Sequence, residues 1–180
     1  MTRREIERTL ETLVIVVDTR EHKTARLRKR IEQMGVPSIV KKLDFGDYSA
    51  VVTLPDGSLF SLEKSVCIER KADLSEICNN FKDDKDKTKS HRDRFAREFE
   101  RARIAGAKMH LLIENATWEK VLQGQYRSLM KPKALLASLL TWSVRYNCGI
   151  FMCESGTSGT LIKEVLFREM KEKLVEQYKT

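Results

Sequence analysis

The chain has 180 residues and a mass of 20.9 kDa, and its 41% apolar and 33% charged content excludes a disordered chain and leaves enough apolar residues for a core. Its 34 Lys and Arg outnumber 26 Asp and Glu, and the resulting net charge of +8 favours a polyanionic partner, since each neutralised phosphate releases condensed counterions. Four cysteines (Cys67, Cys78, Cys148, Cys153) without a CxxC pair speak against zinc or a disulfide scaffold, and no apolar run nears the roughly 20 residues of a spanning helix. With a charged Met1–Glu5 start and no apolar leader behind it, an intracellular protein without membrane contact is expected.

Leu13–Val17 is a β-branched run suited to a strand buried on both faces, and it runs into Asp18-Thr-Arg-Glu21. Leu27 and Ile31, four apart, predict a helix over Thr24–Met34 that Gly35 stops. Ser38–Leu43 reads as a second strand, Asp44–Asp47 as a turn and Tyr48–Leu54 as a third strand. Pro55-Asp-Gly57 signals a hairpin returning through Leu62. A further strand is expected over Ser65–Lys71, and Asp73-Leu-Ser-Glu76 has the form of a capping box opening a short helix. The Lys/Asp-rich stretch 82–90 reads as a mobile loop.

A basic helix follows over His91–Ala105, with Phe95, Phe99 and Ala102 on its inner stripe, then a strand over Met109–Glu114. Lys131–Asn147 is predicted helical, with Pro132 near its first turn. Leu135, Leu136, Leu139, Leu140 and Val144 form its buried face, with Trp142 and Tyr146 off that stripe. Gly149–Cys153 reads as a last strand and Gly159–Tyr178 as a last amphipathic helix. Strands that cluster first and then alternate with helices imply an α/β fold with a central mixed β-sheet flanked by helices. One domain over residues 1–180 is expected, with its core at about 13–175.

Acidic residues fall where strands end: Asp18 after the first, Asp47 after a glycine turn, and Glu69 with Lys71 two further on. The period of two puts Glu69 and Lys71 on one face and Arg70 on the other. Carboxylates gathered beside an ammonium are more natural as a metal site than as a structural device, and all-oxygen ligands suit Mg2+ or Mn2+. Such an ion lowers the pKa of a bound water and neutralises a phosphoryl group, with Lys71 placed to orient that water or stabilise developing charge.

Val17-Asp-Thr-Arg-Glu21, Phe45-Gly-Asp-Tyr48 and Ile68-Glu-Arg-Lys71 together resemble the successive signatures of the XPF-type nuclease family, structure-specific endonucleases of the PD-(D/E)XK superfamily. The similarity continues through Met109–Glu114, Leu135–Arg145, the strand at Ile150 and the final helix, over roughly residues 13 to 175. The resemblance implies a restriction-endonuclease-like fold and a metal-dependent DNA endonuclease that cuts flaps, forks or other branched DNA in repair or recombination. It implies Asp47 and Glu69 as principal metal ligands, Asp18 as a further acidic residue of the metal site, and Lys71 as the catalytic lysine. Arg20 and Glu21 would position the site by hydrogen bonds, and Arg70 would support it from behind. The family's pattern has an Asp four residues after the lysine, where Ser75 stands here; Asp73, two after Lys71, fits a helix N-cap instead. A DNA-binding or scaffold subunit without catalysis is the alternative, and the presence of Asp18, Asp47, Glu69 and Lys71 argues against it. Longer relatives carry a helix-hairpin-helix module after the nuclease. Branch recognition here is expected from the nuclease surface, a partner protein, or a region outside these 180 residues.

Arg92 and Arg94 are candidate phosphate contacts, although Asp93, Glu98 and Glu100 offset part of the basic helix. His22 and His110 read as a loop residue and a strand residue of structural kind. Trp142 and Tyr146, expected off the buried stripe, suggest either a two-fold homodimer patch or packing on the final helix through Leu166 or Met170.

Overall fold

Seven strands among the described residues form one mixed sheet in the computed structural model of the protein, which describes residues 1–22, 24–82 and 91–178, with the backbone alone at 91 and 92. In chain order the elements are α1 (Arg3–Leu10), β1 (Val14–Val17), α2 (Ala25–Met34), β2 (Ser38–Val40), β3 (Tyr48–Thr53), β4 (Leu59–Ser61) and β5 (Val66–Lys71). They continue as α3 (Leu74–Phe81), α4 (His91–Ile104), β6 (Lys108–Glu114), α5 (Trp118–Gln123), α6 (Pro132–Tyr146), β7 (Ile150–Cys153) and α7 (Ser158–Tyr178). The strand order is β2-β1-β3-β5-β6-β7, with β4 paired to β3. The β1/β2, β5/β6 and β6/β7 pairs are parallel and the β1/β3, β3/β4 and β3/β5 pairs antiparallel, so the mixed α/β sheet expected from the sequence is the one observed.

The sheet has two leaves joined narrowly. β5 and β6 share six register pairs, whereas β3 meets β5 at the single pair Tyr48–Ile68, because the rest of that edge of β3 is taken by β4 at Val51–Thr53. Each face carries its own core. Strand alternation in β6 sends Met109, Leu111 and Ile113 to one side, under α3, α4 and α6, and Leu112 to the other, under α1, α2 and α7.

Several expectations are corrected. Helix α1 was not anticipated, although Thr2 and Glu5 form a full capping box, and neither was α5, started by Thr117 and stopped by Gly124 in a left-handed conformation. β2 ends at Val40 instead of Leu43, because Leu43 N donates to Asp18 Oδ2 at 2.6 Å and draws the chain off the sheet. Asp73 caps α3 by accepting from Glu76 N, while the Glu76 carboxylate turns to Ala72 N. The expected loop at 82–90 lies, apart from Lys82, outside the described residues.

The buried face of α6 is also different. Leu135, Leu139 and Trp142 are buried, whereas Leu140 is 50% and Val144 86% exposed. Trp142 stacks on Phe95 at 5.2 Å between centroids and meets Phe81, Phe99 and Tyr146. Leu166 and Met170 belong to the opposite core, so the packing on the final helix is not observed: Trp142 is buried against α3 and α4, with Tyr146 half-buried beside it. The four thiols are unpaired, and burial pushes those of Cys67 and Cys148 up to about 12. Among the described residues no helix is long and apolar enough to cross a membrane.

The crossing of α7 over α2 depends on a glycine. A Cβ on Gly159 would stand 2.0 Å from Arg30 O and 2.7 Å from Gln33 Cβ. Gly159 N donates to Gln33 Oε1 and Thr160 Oγ1 to Gln33 O, which locks the two helices at that contact. Gly159→Ala is therefore expected to cost about 1–3 kcal/mol, as overpacking does. A denaturant midpoint equal to that of the unaltered chain would show that the helices part freely.

Candidate active site

Three segments bring charge to one cleft at the junction of the two leaves. The first follows β1, where the buried Asp18 closes a local loop. Its Oδ1 accepts from Arg20 N at 2.7 Å and Arg20 Nε at 2.6 Å, and its Oδ2 is taken by Leu43 N. Arg20 thereby lies along the cleft, with Nη2 donating to Gly46 O at 3.2 Å. The second is the turn at Gly46 (φ 69°), where a Cβ would stand 2.9 Å from Cys67 Cβ, so only glycine allows the turn to rest on β5. Asp47 N donates to Ile68 O at 2.8 Å, and Asp47 Oδ2 accepts from Arg70 N at 2.8 Å. The third is β5, whose alternation aims Glu69 and Lys71 forward, with Lys71 Nζ 2.7 Å from Glu69 Oε1 and 5.0 Å over the Phe95 ring.

The cleft has a volume of about 570 Å³ and is lined by Asp47, Glu69 and Lys71, with Arg20, His22, Asn80 and the α4 side chains Arg94, Phe95, Glu98 and Arg101. Glu98 accepts from Gly46 N at 3.1 Å and lies 3.6 Å from Arg20 Nη1.

Burial, followed by the like charges of Glu69 and Glu21, pushes the Asp47 carboxyl well above the usual carboxylate range, against the pull of the Arg70 amide and Lys71. Burial also raises Glu69, offset by Lys71 and reinforced by Glu98. Burial works against the charge on Lys71, but Glu69 outweighs it, and the ammonium is held above its ordinary value. Lys71 is therefore a fixed cation and not a base at neutral pH. Asp18 is held below its ordinary value: burial would raise it, but its bonds from Arg20 and Leu43 prevail.

The structure brings Arg20, Asp47, Glu69, Lys71 and Arg94 around one cleft. Asp18, Glu21 and Arg70 lie outside its lining. Asp18, expected as a further acidic residue of the metal site, is fully buried, and its oxygens accept from Arg20 and from Leu43 N, supporting both. Arg92 falls outside the described side chains. Sequence reasoning passed over Arg101 and Glu98 as members of the site, although Arg94, Glu98 and Arg101 follow helical spacing along one stripe beside Phe95, Phe99 and Ala102.

Among the described residues no three His, Cys, Asp or Glu side chains form a group that could hold a metal ion. Two carboxylates do meet the chemistry of Mg2+ or Mn2+, ions that take few protein oxygens and complete their shell with water and phosphate. Asp47 and Glu69 would hold such an ion, which would relieve the repulsion between them.

A family model described as the ERCC4 domain matches residues 17–164. Among solved structures, XPF from Aeropyrum pernix is similar with a TM-score of 0.57 and 19% identity, over 87% of this chain and 60% of that one. XPF from Aeropyrum pernix in complex with DNA is similar with a TM-score of 0.59 and 20% identity, over 89% and 66% respectively. At these identities the likeness is one of fold, and the chain spans 60% and 66% of the length of these two structures. No curated protein sequence matches the chain significantly.

The crowded carboxylates have a measurable sign. A carboxyl whose pKa is raised in the folded state costs stability at neutral pH, and that cost disappears as pH falls through the raised value. Asp47→Asn, which keeps the acceptor for Arg70 N, is expected to raise the metal-free melting temperature at pH 8 by about 2–4 °C per kcal/mol relieved. The gain should shrink on acidification. A variant that melts below the unaltered chain at pH 8 would contradict the assigned repulsion.

Proposed function

The chain belongs to the ERCC4-domain family, the XPF-type nuclease domains, and from that premise we propose that it is a metal-dependent DNA endonuclease acting on branched DNA such as flaps and forks. The observation that carries this reading is the convergence of Asp47, Glu69 and Lys71 on one cleft rimmed by arginines. A complex with DNA among the similar structures supports DNA as the substrate. Flap or fork processing in repair or recombination is the corresponding role, with branch recognition assigned to the surface around the cleft or to a partner protein.

A bound Mg2+ or Mn2+ would supply an activated water and neutralise charge on the phosphodiester. Asp47 and Glu69 would hold that ion. Lys71 keeps its proton, is held in place by Glu69 and the Phe95 ring, and points positive charge at the phosphoryl group under attack. Arg20 is fixed along the wall by Asp18 and Gly46 O, where it meets a phosphate oxygen. Arg94 and Arg101, one α4 stripe at the rim, hold neighbouring phosphates and set the register of the strand without reading bases.

Two measurements test this. Glu69→Gln and Lys71→Met are expected to lower the cleavage rate with Mn2+ on labelled flap or fork DNA by at least about 100-fold while leaving DNA binding intact. Cleavage at the unaltered rate in either variant removes that residue from the reaction, and a chain that cuts plain duplex as fast as flap or fork loses its branch selectivity. Replacing Arg94 and Arg101 with Ala is expected to reduce the slope of log affinity against log salt by about 1 per lost contact. An unchanged slope in a salt titration makes that stripe an ordinary solvated face.

A further inference from the structure

Behind the cleft, the residues that do not face it are gathered into a closed ring of alternating charge. Arg30 Nε donates to Glu114 Oε1 at 2.9 Å, and Arg70 Nη1 donates to Glu114 Oε2 at 3.2 Å. Glu21 closes the ring, with Oε1 3.6 Å from Arg70 Nη2 and Oε2 3.4 Å from Arg30 Nη1. Tyr48 Oη accepts from Arg30 Nη1 at 2.9 Å and donates to Glu21 Oε2 at 3.0 Å. The Arg30 and Glu114 side chains are only 5% and 4% exposed.

The ring's attachment points set it apart from an ordinary buried ion pair. Glu21 follows Asp18 and Arg20, Tyr48 follows Asp47, and Arg70 stands between Glu69 and Lys71 with its side chain on the reverse face. Each segment that feeds the cleft is thus gripped from behind by one of its own residues. Arg30 from α2 and Glu114 from the end of β6 are the two members that come from outside those segments. Arg70 passes the constraint forward through its backbone, since Arg70 N holds Asp47 Oδ2 at 2.8 Å. Stability is a poor reason for such a ring, because well-packed apolar side chains in place of buried ion pairs are often as stable or more so.

We infer that Arg30 and Glu114 are positioning residues of the metal site: by completing the ring around Arg70 they fix the backbone amide that orients the Asp47 carboxylate. The inference rests on the metal-dependent reading above and concerns the geometry of that site, not the identity of the substrate. Lys at position 30 keeps the charge but cannot reach Glu114, Glu21 and Tyr48 together, and Gln at position 114 keeps the shape but loses the charge.

The test is the Mn2+ affinity of the whole chain by titration calorimetry without DNA, at a temperature where circular dichroism shows each variant folded. Glu114→Gln and Arg30→Lys are expected to weaken Mn2+ binding by about 10- to 100-fold, the usual effect of losing a partner behind a ligand. Leu174→Ala, which opens a cavity near the end of α7 far from Ser158 and the ring, is expected to melt earlier with unchanged Mn2+ affinity. If either single variant does not fold, Arg30→Met with Glu114→Met replaces the charged contact by packing and is expected to show the same loss. A folded ring variant that binds Mn2+ like the unaltered chain overturns the inference. An unaltered chain that binds no Mn2+, or Glu69→Gln that binds it equally well, overturns the metal-site reading itself, and the inference with it.

Discussion

Two arginines and two glutamates, Arg30, Glu114, Arg70 and Glu21, neutralise one another where the sheet meets α2 and the start of α7. Arg30 and Glu114 are buried and Glu21 and Arg70 mostly so, and each charge is tolerable only while its partners stay in place. That requirement ties together five stretches of chain that sequence order scatters between residues 21 and 158, the last through Ser158 Oγ, 3.4 Å from Arg30 Nε. It also accounts for the tight helix crossing nearby. Arg30 reaches inward from a stripe otherwise occupied by Leu27 and Met34, and its own carbonyl is what Gly159 rests against.

The cleft works with the opposite economy. Where the ring cancels its charge internally, the cleft buries Asp47 and Glu69 so near each other that the charge on Glu69 disfavours that on Asp47, a repulsion that a cation held between the two residues would relieve. Strand geometry separates the two environments by the thickness of one backbone: Glu69 and Lys71 on one face of β5, Arg70 on the other. A single strand therefore serves both, which explains why a motif of three consecutive charged residues survives in a strand that is otherwise buried.

Much of this was legible in the sequence. Alternation predicted the opposed faces of Glu69 and Arg70, β-branched runs gave the central strands, and Gly35 marked the end of α2. What escaped had physical causes. Helix α6 is apolar on more than one side, so spacing alone offers two stripes, 136–140–144 and 135–139–142, and the bulk of Trp142 among Phe81, Phe95 and Phe99 decides for the second. The resemblance put Asp18 at the metal site, but one of its oxygens accepts from Arg20 and the other from Leu43 N, 25 residues away, a contact no local pattern announces. Arg30 and Glu114 were readable only as oddities: a cation on an apolar helical stripe, and an anion ending an apolar strand. Their 84-residue separation hid the pairing.

The narrow join between β3 and β5 has a mechanical meaning. A sheet resists shear and twist through its rungs, and at this line there is one register pair where the neighbouring β5/β6 seam has six. The two leaves thus meet along a compliant line, reinforced off the ladder by Asp47 N to Ile68 O and by Ser49 Oγ to Val66 O. Asp47 belongs to one leaf and Glu69 to the other, and Asp47 is tied across the line twice, by its own N–H to Ile68 O and by Arg70 N to its carboxylate. An ion held by Asp47 and Glu69 would add a third tie across the same line, so the place where the ladder is thinnest is also where a ligand could stiffen it.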